Sequence, residues 1–383
     1  MGADPQPNEL PRRSRRGFKS RESFEGGVAR MRLALPREAL SKALGLLLTS
    51  HNLLELRRQV AALRVQALGW NRQQQGKEST SLIWFKGPIW QRYLQQIEES
   101  KTLKRAHYYV ERLRRSLDQT KTSSLNDLNL YRWQEYDDVL TDSLWVLDKR
   151  DRSGVHNAGY WGNFIPQIPN QLLRRYTKAG EWVLDTFLGS GTTLIEAQRL
   201  GRNALGVELQ SEVAERTAAL LGAEENPHGV QLKVHVGDSR SVDYSPILKD
   251  AGISDVQFLM MHPPYHDIIR FSQDDRCLSN AESLQDFLDG FKGVAQNALS
   301  VLQRGRYLAI VIGDKYSGSE WVPLGFQCMQ VVEGLGCSLK SIVVKNFEST
   351  AGKRQTAELW RYRALAGGFY VFKHEYIFVM QKL

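Results

Sequence analysis

Residues 182–200 read WVLDTFLGSGTTLIEAQRL, and this stretch decides the fold of the second half of the chain. Its first three residues form a short apolar run that predicts a buried strand, and its last seven predict a helix. Gly189 and Gly191 lie in the turn between them. Such a turn lets a ligand approach the backbone, and the free N–H groups of the helix N-terminus can hold it. It is neither a dinucleotide fingerprint nor a P-loop, because Leu194 takes the third glycine position and no Gly-Lys-Ser/Thr follows.

Six more short runs rich in Val, Ile and Leu follow, alternating with helical stretches. They cover residues 204–207, 230–236, 256–261, 307–312, 341–345 and 376–380. Strands that alternate with helices predict an α/β fold, here a Rossmann-like, seven-stranded, mostly parallel sheet covered on both faces. Because ligands bind at the carboxyl ends of the strands in such sheets, the loops that follow the strands are the expected site.

Polar residues stand at three of these strand ends. Glu208 ends the second strand, where a carboxylate can accept hydrogen bonds from both hydroxyls of a ribose. Asp238 follows the third strand and can accept a bond from an adenine amino group. Together with the glycine turn they predict an adenosine site. The fourth strand ends at residues 262–265 (HPPY), where two prolines fix the backbone between a histidine and a tyrosine.

These motifs resemble those of a known enzyme family. Residues 185–193 (DTFLGSGTT) resemble motif I of the S-adenosylmethionine-dependent amino-methyltransferases that modify exocyclic amines of DNA bases. Residues 262–265 resemble motif IV of that family, usually Asp/Asn/Ser-Pro-Pro-Tyr. Residues 162–166 (GNFIP) resemble the segment that closes over the methionine end of the cofactor, and residues 374–379 (HEYIFV) resemble its last hairpin strand. The resemblance covers about residues 145–383 and implies the methyltransferase form of the predicted sheet.

The resemblance also implies roles for single residues. S-adenosyl-L-methionine would be the cofactor, and its methyl group would pass directly to adenine N6 or cytosine N4 of a base flipped out of double-stranded DNA. The residues implied to bind the cofactor are Asn163, Phe164, Asp185, Phe187, Gly189, Ser190, Gly191, Thr192, Glu208 and Asp238. The target base would stack on Tyr265, while His262 and the backbone at Pro263 and Pro264 would meet its amine. The reaction requires no metal.

His262 departs from the family pattern, which has Asp, Asn or Ser at this position. A neutral imidazole offers one acceptor, and a protonated imidazole offers none. The residue therefore does not sort adenine from cytosine, and an inactive DNA-binding homologue stays open as an alternative. Because an unperturbed histidine titrates near ~6.5, we expect methylation to fall as the pH drops through that region.

The charge of the chain is uneven. Residues 1–150 hold 27 Lys and Arg against 17 Asp and Glu, whereas residues 151–383 hold 24 against 25. We expect a disordered basic tail at residues 1–25, a basic helical domain that binds nucleic acid at 26–150, and the methyltransferase domain at 151–383. A solvated basic surface is the alternative. Within 26–150 we expect one long helix at 90–117, a loop at 77–90 and no internal repeat.

The remaining expectations concern partners and location. Structured RNA also carries exocyclic amines, so an RNA N-methyltransferase is a further alternative. A cognate restriction nuclease is a conceivable partner, and the oligomeric state is not indicated. No apolar run reaches the ~18–20 residues that span a bilayer. The three cysteines form no CxxC pair, so neither disulfides nor a structural zinc site is expected, and a cytoplasmic location fits best.

Overall fold

The computed structural model describes residues 32–74, 81–147, 149–156, 159–160, 162–347 and 357–383. The disordered tail expected at residues 1–25 lies outside the described residues. The chain divides into two compact units, the first comprising residues 1–121 and 129–136 and the second residues 122–128 and 137–383. Within the described residues, no helix is both long and apolar enough to cross a membrane.

The first unit contains a two-stranded ribbon and four α-helices among its described residues. In chain order they are β1 (Arg32–Pro36), α1 (Arg37–Leu47), α2 (Leu53–Gln73), β2 (Leu82–Lys86), α3 (Gly87–Glu98) and α4 (Leu103–Asp118). The expected loop at 77–90 is thus wrong where it covers β2. The single helix expected at 90–117 is also wrong, because the chain leaves the helix after α3 and the Thr102 side chain caps a new one by accepting a bond from the Arg105 N–H.

The two halves of this unit are one strand–helix–helix motif, repeated fifty residues later. Asn52 caps α2 as Thr102 caps α4, and each accepts a bond from the backbone N–H three residues on. Buried residues recur at the same spacing, as the pairs Leu33 and Ile83, Leu35 and Phe85, Leu40 and Trp90, Leu44 and Leu94, Leu47 and Ile97, Ser50 and Ser100, Val60 and Val110, and Leu63 and Leu113. The expectation of no internal repeat is therefore wrong. Only six of the 37 positions from 32 to 68 are identical to their counterparts, so the repeat lies in burial and caps and not in residue identity.

The second unit contains the sheet predicted from the sequence. Its strands are β3 (Leu144–Trp145), β4 (Trp182–Asp185), β5 (Asn203–Glu208), β6 (Leu232–Val236), β7 (Val256–Met261), β8 (Leu302–Ile312), β11 (Cys337–Asn346) and β12 (His374–Lys382). They lie in the order β3-β11-β12-β8-β7-β4-β5-β6. The five neighbouring strands β6, β5, β4, β7 and β8 run parallel to one another. Strand β12 is antiparallel to both β8 and β11. The α/β fold and its seven predicted strands are confirmed, and β3 is an addition.

Because β3 pairs with β11, the second unit begins before residue 150. The sequence placed the boundary at 150 from the change in composition, but residues 137–147 are part of the sheet unit. A two-residue strand gives no periodicity from which this could be recognised.

Helices cover both faces of the sheet. Apolar residues of α5 (Gln167–Tyr176) and α6 (Thr192–Arg199) pack with Val183 and Phe258, and α7 (Ser211–Ala223) adds Leu221. The other face is covered by α8 (Tyr244–Asp250), α9 (Leu284–Val301) and α10 (Leu324–Glu333), which pack with Leu184 and Leu259. Neighbouring residues of one strand thus face opposite layers. A hairpin of β9 (Lys315–Ser317) and β10 (Glu320–Val322) and the helix α11 (Ala357–Gly367) complete the strands and α-helices of the described residues.

Candidate active site

The two sequence motifs meet where the strand order reverses. From β4 the chain continues to β5 and β6 on one side, and then crosses to β7 and β8 on the other. Ligands bind at such switch points, beyond the carboxyl ends of the strands. Asp185 at the end of β4 is paired with Met260 of β7, and the Thr186 N–H donates to the Met260 carbonyl over 3.2 Å. The turns that follow these two strands are therefore neighbours.

The glycine turn has a backbone that only glycine adopts easily. The φ of Gly189 is +51° and that of Gly191 is +75°, both in the left-handed region. A Cβ at Gly189 would lie 3.1 Å from the Tyr160 ring, and one at Gly191 would lie 2.5 Å from the Thr217 methyl carbon. The Thr217 hydroxyl also donates to the Gly189 carbonyl over 2.7 Å. The turn thus packs closely against Tyr160 and Thr217 and is anchored by the Thr217 bond.

Glu208 lies beside this turn, as the adenosine-site prediction requires. Its Oε2 accepts a bond from the Gly189 N–H over 2.9 Å, and its Oε1 accepts one from the Gln210 N–H over 3.0 Å. Burial raises the pKa of Glu208, and these backbone bonds only partly oppose it. A carboxylate has about four lone-pair sites, so acceptor capacity remains for ribose hydroxyls.

Asp185 is buried behind the turn, with 1% of its surface exposed. Its Oδ1 accepts a bond from the Phe187 N–H over 2.9 Å. Burial raises the pKa of Asp185 to about 6, and the charge of Glu208 acts in the same direction, while the bond from the Phe187 N–H opposes it. Two carboxylates that are costly to ionise therefore lie at the turn, an arrangement that favours a cationic ligand.

The GNFIP segment is bound to the same turn. The Asn163 side-chain amide donates to the Ser190 hydroxyl over 2.6 Å and accepts from the Thr192 hydroxyl over 2.6 Å. Phe164 is buried, and its ring lies 4.6 Å from the His262 ring. Phe187 is half-buried and packs against the core on the α9 side. The segment thus brings the glycine turn and the HPPY turn together.

Asp238 is placed differently from the simple prediction. Its carboxylate is paired with Arg240, whose Nη2 lies 2.7 Å from Oδ2, and the Arg240 backbone N–H donates to Oδ1 over 2.9 Å. Burial alone raises the pKa of Asp238, but the bonds and charge of Arg240 outweigh burial and lower the pKa. Asp238 is therefore ionised at neutral pH and already has a partner, which an adenine amine would share.

His262 is held between two aromatic rings. Phe164 lies on one side, and Tyr265 lies 5.8 Å away with its ring nearly perpendicular. Burial lowers the pKa of His262 to about 4, and the charge of Glu375 opposes this without outweighing it. Burial thus places the expected titration of His262 below the ~6.5 of an unperturbed histidine. The imidazole is neutral at physiological pH and can offer an acceptor nitrogen.

Tyr265 is fixed by residues that the sequence reasoning did not single out. Its hydroxyl donates to Glu375 Oε2 over 2.9 Å, and Glu375 Oε1 lies 3.0 Å from Lys345 Nζ. Lys345 and Glu375 face each other across β11 and β12, and both are buried. Gly313 lies against the ring, since a Cβ there would be 3.0 Å from Tyr265 Cε2. The sequence signal for this network was that Lys345 and Glu375 are charged residues in or next to apolar runs predicted as strands.

The chain after the HPPY turn is also pinned. His266 has a φ of +54°, which is uncommon for a residue with a side chain, and its ring is buried. Lys315 Nζ lies 2.9 Å from His266 Nδ1 and 2.5 Å from Asp267 Oδ1. Because the lysine donates, we assign the acceptor role to Nδ1 and the proton to Nε2, which lies 3.2 Å from the Ala281 carbonyl.

The fold and this site define an α/β domain with a glycine turn flanked by two carboxylates beside a rigid aromatic turn. Residues 70–219 match the profile of the DNA methylase family of N6/N4 methyltransferases. The matched segment contains the glycine turn and Glu208, whereas residues 262–265 lie beyond it.

Curated relatives point in the same direction. The type II methyltransferase M.MjaII of Methanocaldococcus jannaschii is 35% identical over 68 residues, which are 17% of this chain and 12% of that protein. The type II methyltransferase M2.DpnII of Streptococcus pneumoniae is 34% identical over 106 residues, 26% of this chain and 40% of that protein. The chain therefore spans less than half the length of these relatives.

Among solved structures, TrmN from Thermus thermophilus aligns with 57% of this chain and 49% of its own, at 17% identity and a TM-score of 0.35. The segment 70–219 is thus similar to the N6/N4 DNA methylase family, and shorter segments of the chain show distant homology to type II DNA methyltransferases.

Proposed function

We propose that this chain transfers a methyl group from S-adenosyl-L-methionine to adenine N6 or cytosine N4 of a base flipped out of double-stranded DNA. The observation that carries the proposal is the adjacency of the glycine turn and the HPPY turn at the switch point of the sheet. One turn suits a cofactor and the other suits a planar base with an exocyclic amine.

The residues present fit the cofactor. S-adenosylmethionine supplies an electrophilic methyl group on a positively charged sulfonium. Asp185 and Glu208 provide negative charge at the turn, and the left-handed backbone of Gly189 shapes the turn beside them. Glu208 retains acceptors for the ribose, and Asp238 offers its remaining acceptors to the adenine amine. Asn163 keeps the covering segment tied to Ser190 and Thr192.

The chain positions the target amine more than it activates it. The lone pair of an exocyclic amine is delocalised into the ring, so the nitrogen must be made pyramidal and aimed at the methyl group. A neutral His262 can accept a hydrogen bond from the amine, and so can the carbonyls near Pro263 and Pro264. The Tyr265 ring, fixed by Glu375 and Gly313, offers a face for the base. Such positioning accounts for up to ~7–11 kcal/mol of a barrier in well-oriented reactions.

A cytoplasmic location and a cognate restriction nuclease belong to the proposal as well. The location rests on the cysteine pattern, and the nuclease rests on the similarity to type II methyltransferases. Methylated target sites that resist one particular nuclease would support the proposal of a cognate restriction nuclease.

The proposal is tested by expressing the chain in a host that lacks its own DNA methylases and sequencing the DNA with a readout of modified bases. We expect N6-methyladenine or N4-methylcytosine at one recurring sequence, and much less of it with the His262→Ala variant. Unmodified DNA from cells whose RNA carries new N-methyl groups would favour the RNA alternative. A protein that binds cofactor and modifies neither would be the inactive homologue.

A further inference from the structure

The duplicated strand–helix–helix motif of the first unit has no part in the chemistry proposed above. We propose that its ribbon, β1 and β2, reads the base sequence of DNA by placing its outer face in the major groove. This inference rests on the proposed function, because it names the element that selects the target.

One face of the ribbon is a core and the other is a surface. Inward residues alternate with outward ones, and Leu33, Leu35, Ile83 and Phe85 are the buried inward set. The outward residues face one another in three pairs, Arg32 with Lys86, Ala34 with Trp84, and Pro36 with Leu82. Arg32 is exposed, Trp84 is 47% exposed, and Lys86 is half-buried. Ala34 and Leu82 are buried, so the accessible part consists of a cation, an indole and a second cation.

The edges of the ribbon are closed to further strands. The Ala34 N–H donates to Asn71 Oδ1 over 2.8 Å on one side. On the other, the Lys86 N–H donates to Glu135 Oε2 over 3.1 Å, and the Trp84 carbonyl accepts a bond from Arg132. An unpaired strand edge attracts another strand, and these side chains prevent that. A partner of the ribbon therefore meets its face.

The charge of the unit points to a polyanion. Residues 32–121 hold 17 Lys and Arg against 7 Asp and Glu, so the excess positive charge of the chain is concentrated in the duplicated motif. The major groove of B-DNA admits a two-stranded ribbon, and such ribbons are an established reading element. Arginine and lysine can bond guanine O6 and N7, and an apolar ring can contact the thymine methyl group.

The two halves also differ where they would touch bases. Arg32 corresponds to Leu82 in the repeat, Ala34 to Trp84, and Pro36 to Lys86. A symmetric pair of identical strands matches a palindromic site, because the symmetry of the protein is repeated in the DNA. Since these strands present different side chains, we infer that the sequence they read is asymmetric.

The test uses the full chain and a pool of random-sequence DNA duplexes. Wild type, Arg32→Ala and Trp84→Ala are each used to select bound duplexes, and the selected sequences are compared. Arg58→Ala is the matched control, because Arg58 is an exposed arginine of α2 and not of the ribbon. Thermal melting of each variant checks that the unit stays folded.

We expect wild type to enrich one asymmetric sequence. Arg32→Ala and Trp84→Ala should bind that sequence about tenfold more weakly and should lose preference over a shuffled duplex. Arg58→Ala should enrich the same sequence and weaken the binding of both duplexes equally, because phosphate contacts carry no sequence information. Failure of wild type to enrich any sequence, or unchanged selection by both ribbon variants, overturns the inference.

Methyl transfer to the same duplexes separates this inference from the proposed function. Wild type that methylates DNA while the ribbon variants keep their selectivity contradicts the ribbon alone. Wild type that enriches a sequence, binds it through Arg32 and Trp84 and transfers no methyl group contradicts the proposed reaction alone.

Discussion

The hydroxyl of Tyr265 donates a hydrogen bond to Glu375 over 2.9 Å, although the two residues are 110 positions apart in the chain. Glu375 is held in turn by Lys345, so the aromatic ring of the HPPY turn is fixed from β11 and β12. Residue 262 is His where the family pattern has Asp, Asn or Ser. The neighbouring Tyr265 ring is nevertheless rigidly supported. This support fixes the Tyr265 ring through residues other than His262.

Removing one member of the Lys345–Glu375 pair should destabilise the protein more than removing both members. Lys345→Met leaves a buried carboxylate without its partner and should cost about 3–5 kcal/mol in the free energy of unfolding, measured with urea. Lys345→Met combined with Glu375→Leu should recover most of that loss. As a control, Arg64→Ala breaks the more exposed pair with Glu98 and should cost no more than about 1 kcal/mol. A double variant as unstable as the single one would contradict the account.

The pH dependence of the methyl-transfer rate should show no titration of His262 in the neutral range. Its lowered pKa of about 4 means that the ring is neutral above that value and loses its acceptor only below it. At saturating cofactor and DNA, we expect a rate that is flat through pH 6.5. His262→Asn should keep measurable activity, and His262→Ala should lose on the order of 10²-fold, as when one positioned hydrogen-bond partner is removed. An acid limb near ~6.5 that disappears in the Asn variant would show that the ring is less buried than described.

Cofactor affinity should depend on pH through Asp185. Burial raises its pKa to about 6, so below that pH the carboxyl is protonated and offers no charge to a cationic ligand. We expect the affinity for S-adenosylmethionine to fall as the pH drops through 6, and binding near pH 6 to release protons. Calorimetry in two buffers of different ionisation enthalpy measures that release. Asp185→Asn should bind more weakly at every pH and release fewer protons, and an unchanged proton release would exclude Asp185 as its source.

Gly189 and Gly180 give a matched pair of glycine substitutions. Both have a left-handed φ, +51° and +80°, but a Cβ at Gly189 meets Tyr160 at 3.1 Å while one at Gly180 meets nothing within 4 Å. Gly180→Ala should cost about 1–2 kcal/mol in stability and leave cofactor binding unchanged. Gly189→Ala should bear a similar strain and also lose at least about tenfold in cofactor affinity. Equal affinities in the two variants would mean that the turn does not contact the cofactor.

The sequence was informative wherever a local pattern carries the structure. The strand at 182–184, its glycine turn and Glu208 were predictable because apolar runs and strand ends follow from short-range periodicity. The Tyr265–Glu375 bond was not, since nothing local relates residues so far apart. The pairing of Asp238 with Arg240 was more predictable, because a carboxylate often accepts a hydrogen bond from a donor two residues further along the chain.

The first unit contains features that local sequence patterns did not predict. Its helices could be anticipated from apolar spacing, but β1 and β2 are five-residue strands whose partners are each other. The repeat was hidden because pairs such as Leu40 and Trp90 share burial and not identity. Core positions specify apolar character more strongly than a particular residue, so a repeated core can differ in sequence while its arrangement stays the same.

The central claim is that this chain methylates an exocyclic amine in DNA, and one measurement tests it most directly. The full chain is incubated with double-stranded DNA and S-adenosylmethionine carrying a deuterated methyl group, with structured RNA in a parallel reaction. The nucleic acids are then digested to nucleosides for mass spectrometry. We predict the deuterated methyl group on N6 of deoxyadenosine or N4 of deoxycytidine, and incorporation that is slower on the order of 10²-fold with His262→Ala. Label in ribonucleosides alone, or in no nucleoside although calorimetry shows that the cofactor binds, would contradict the account.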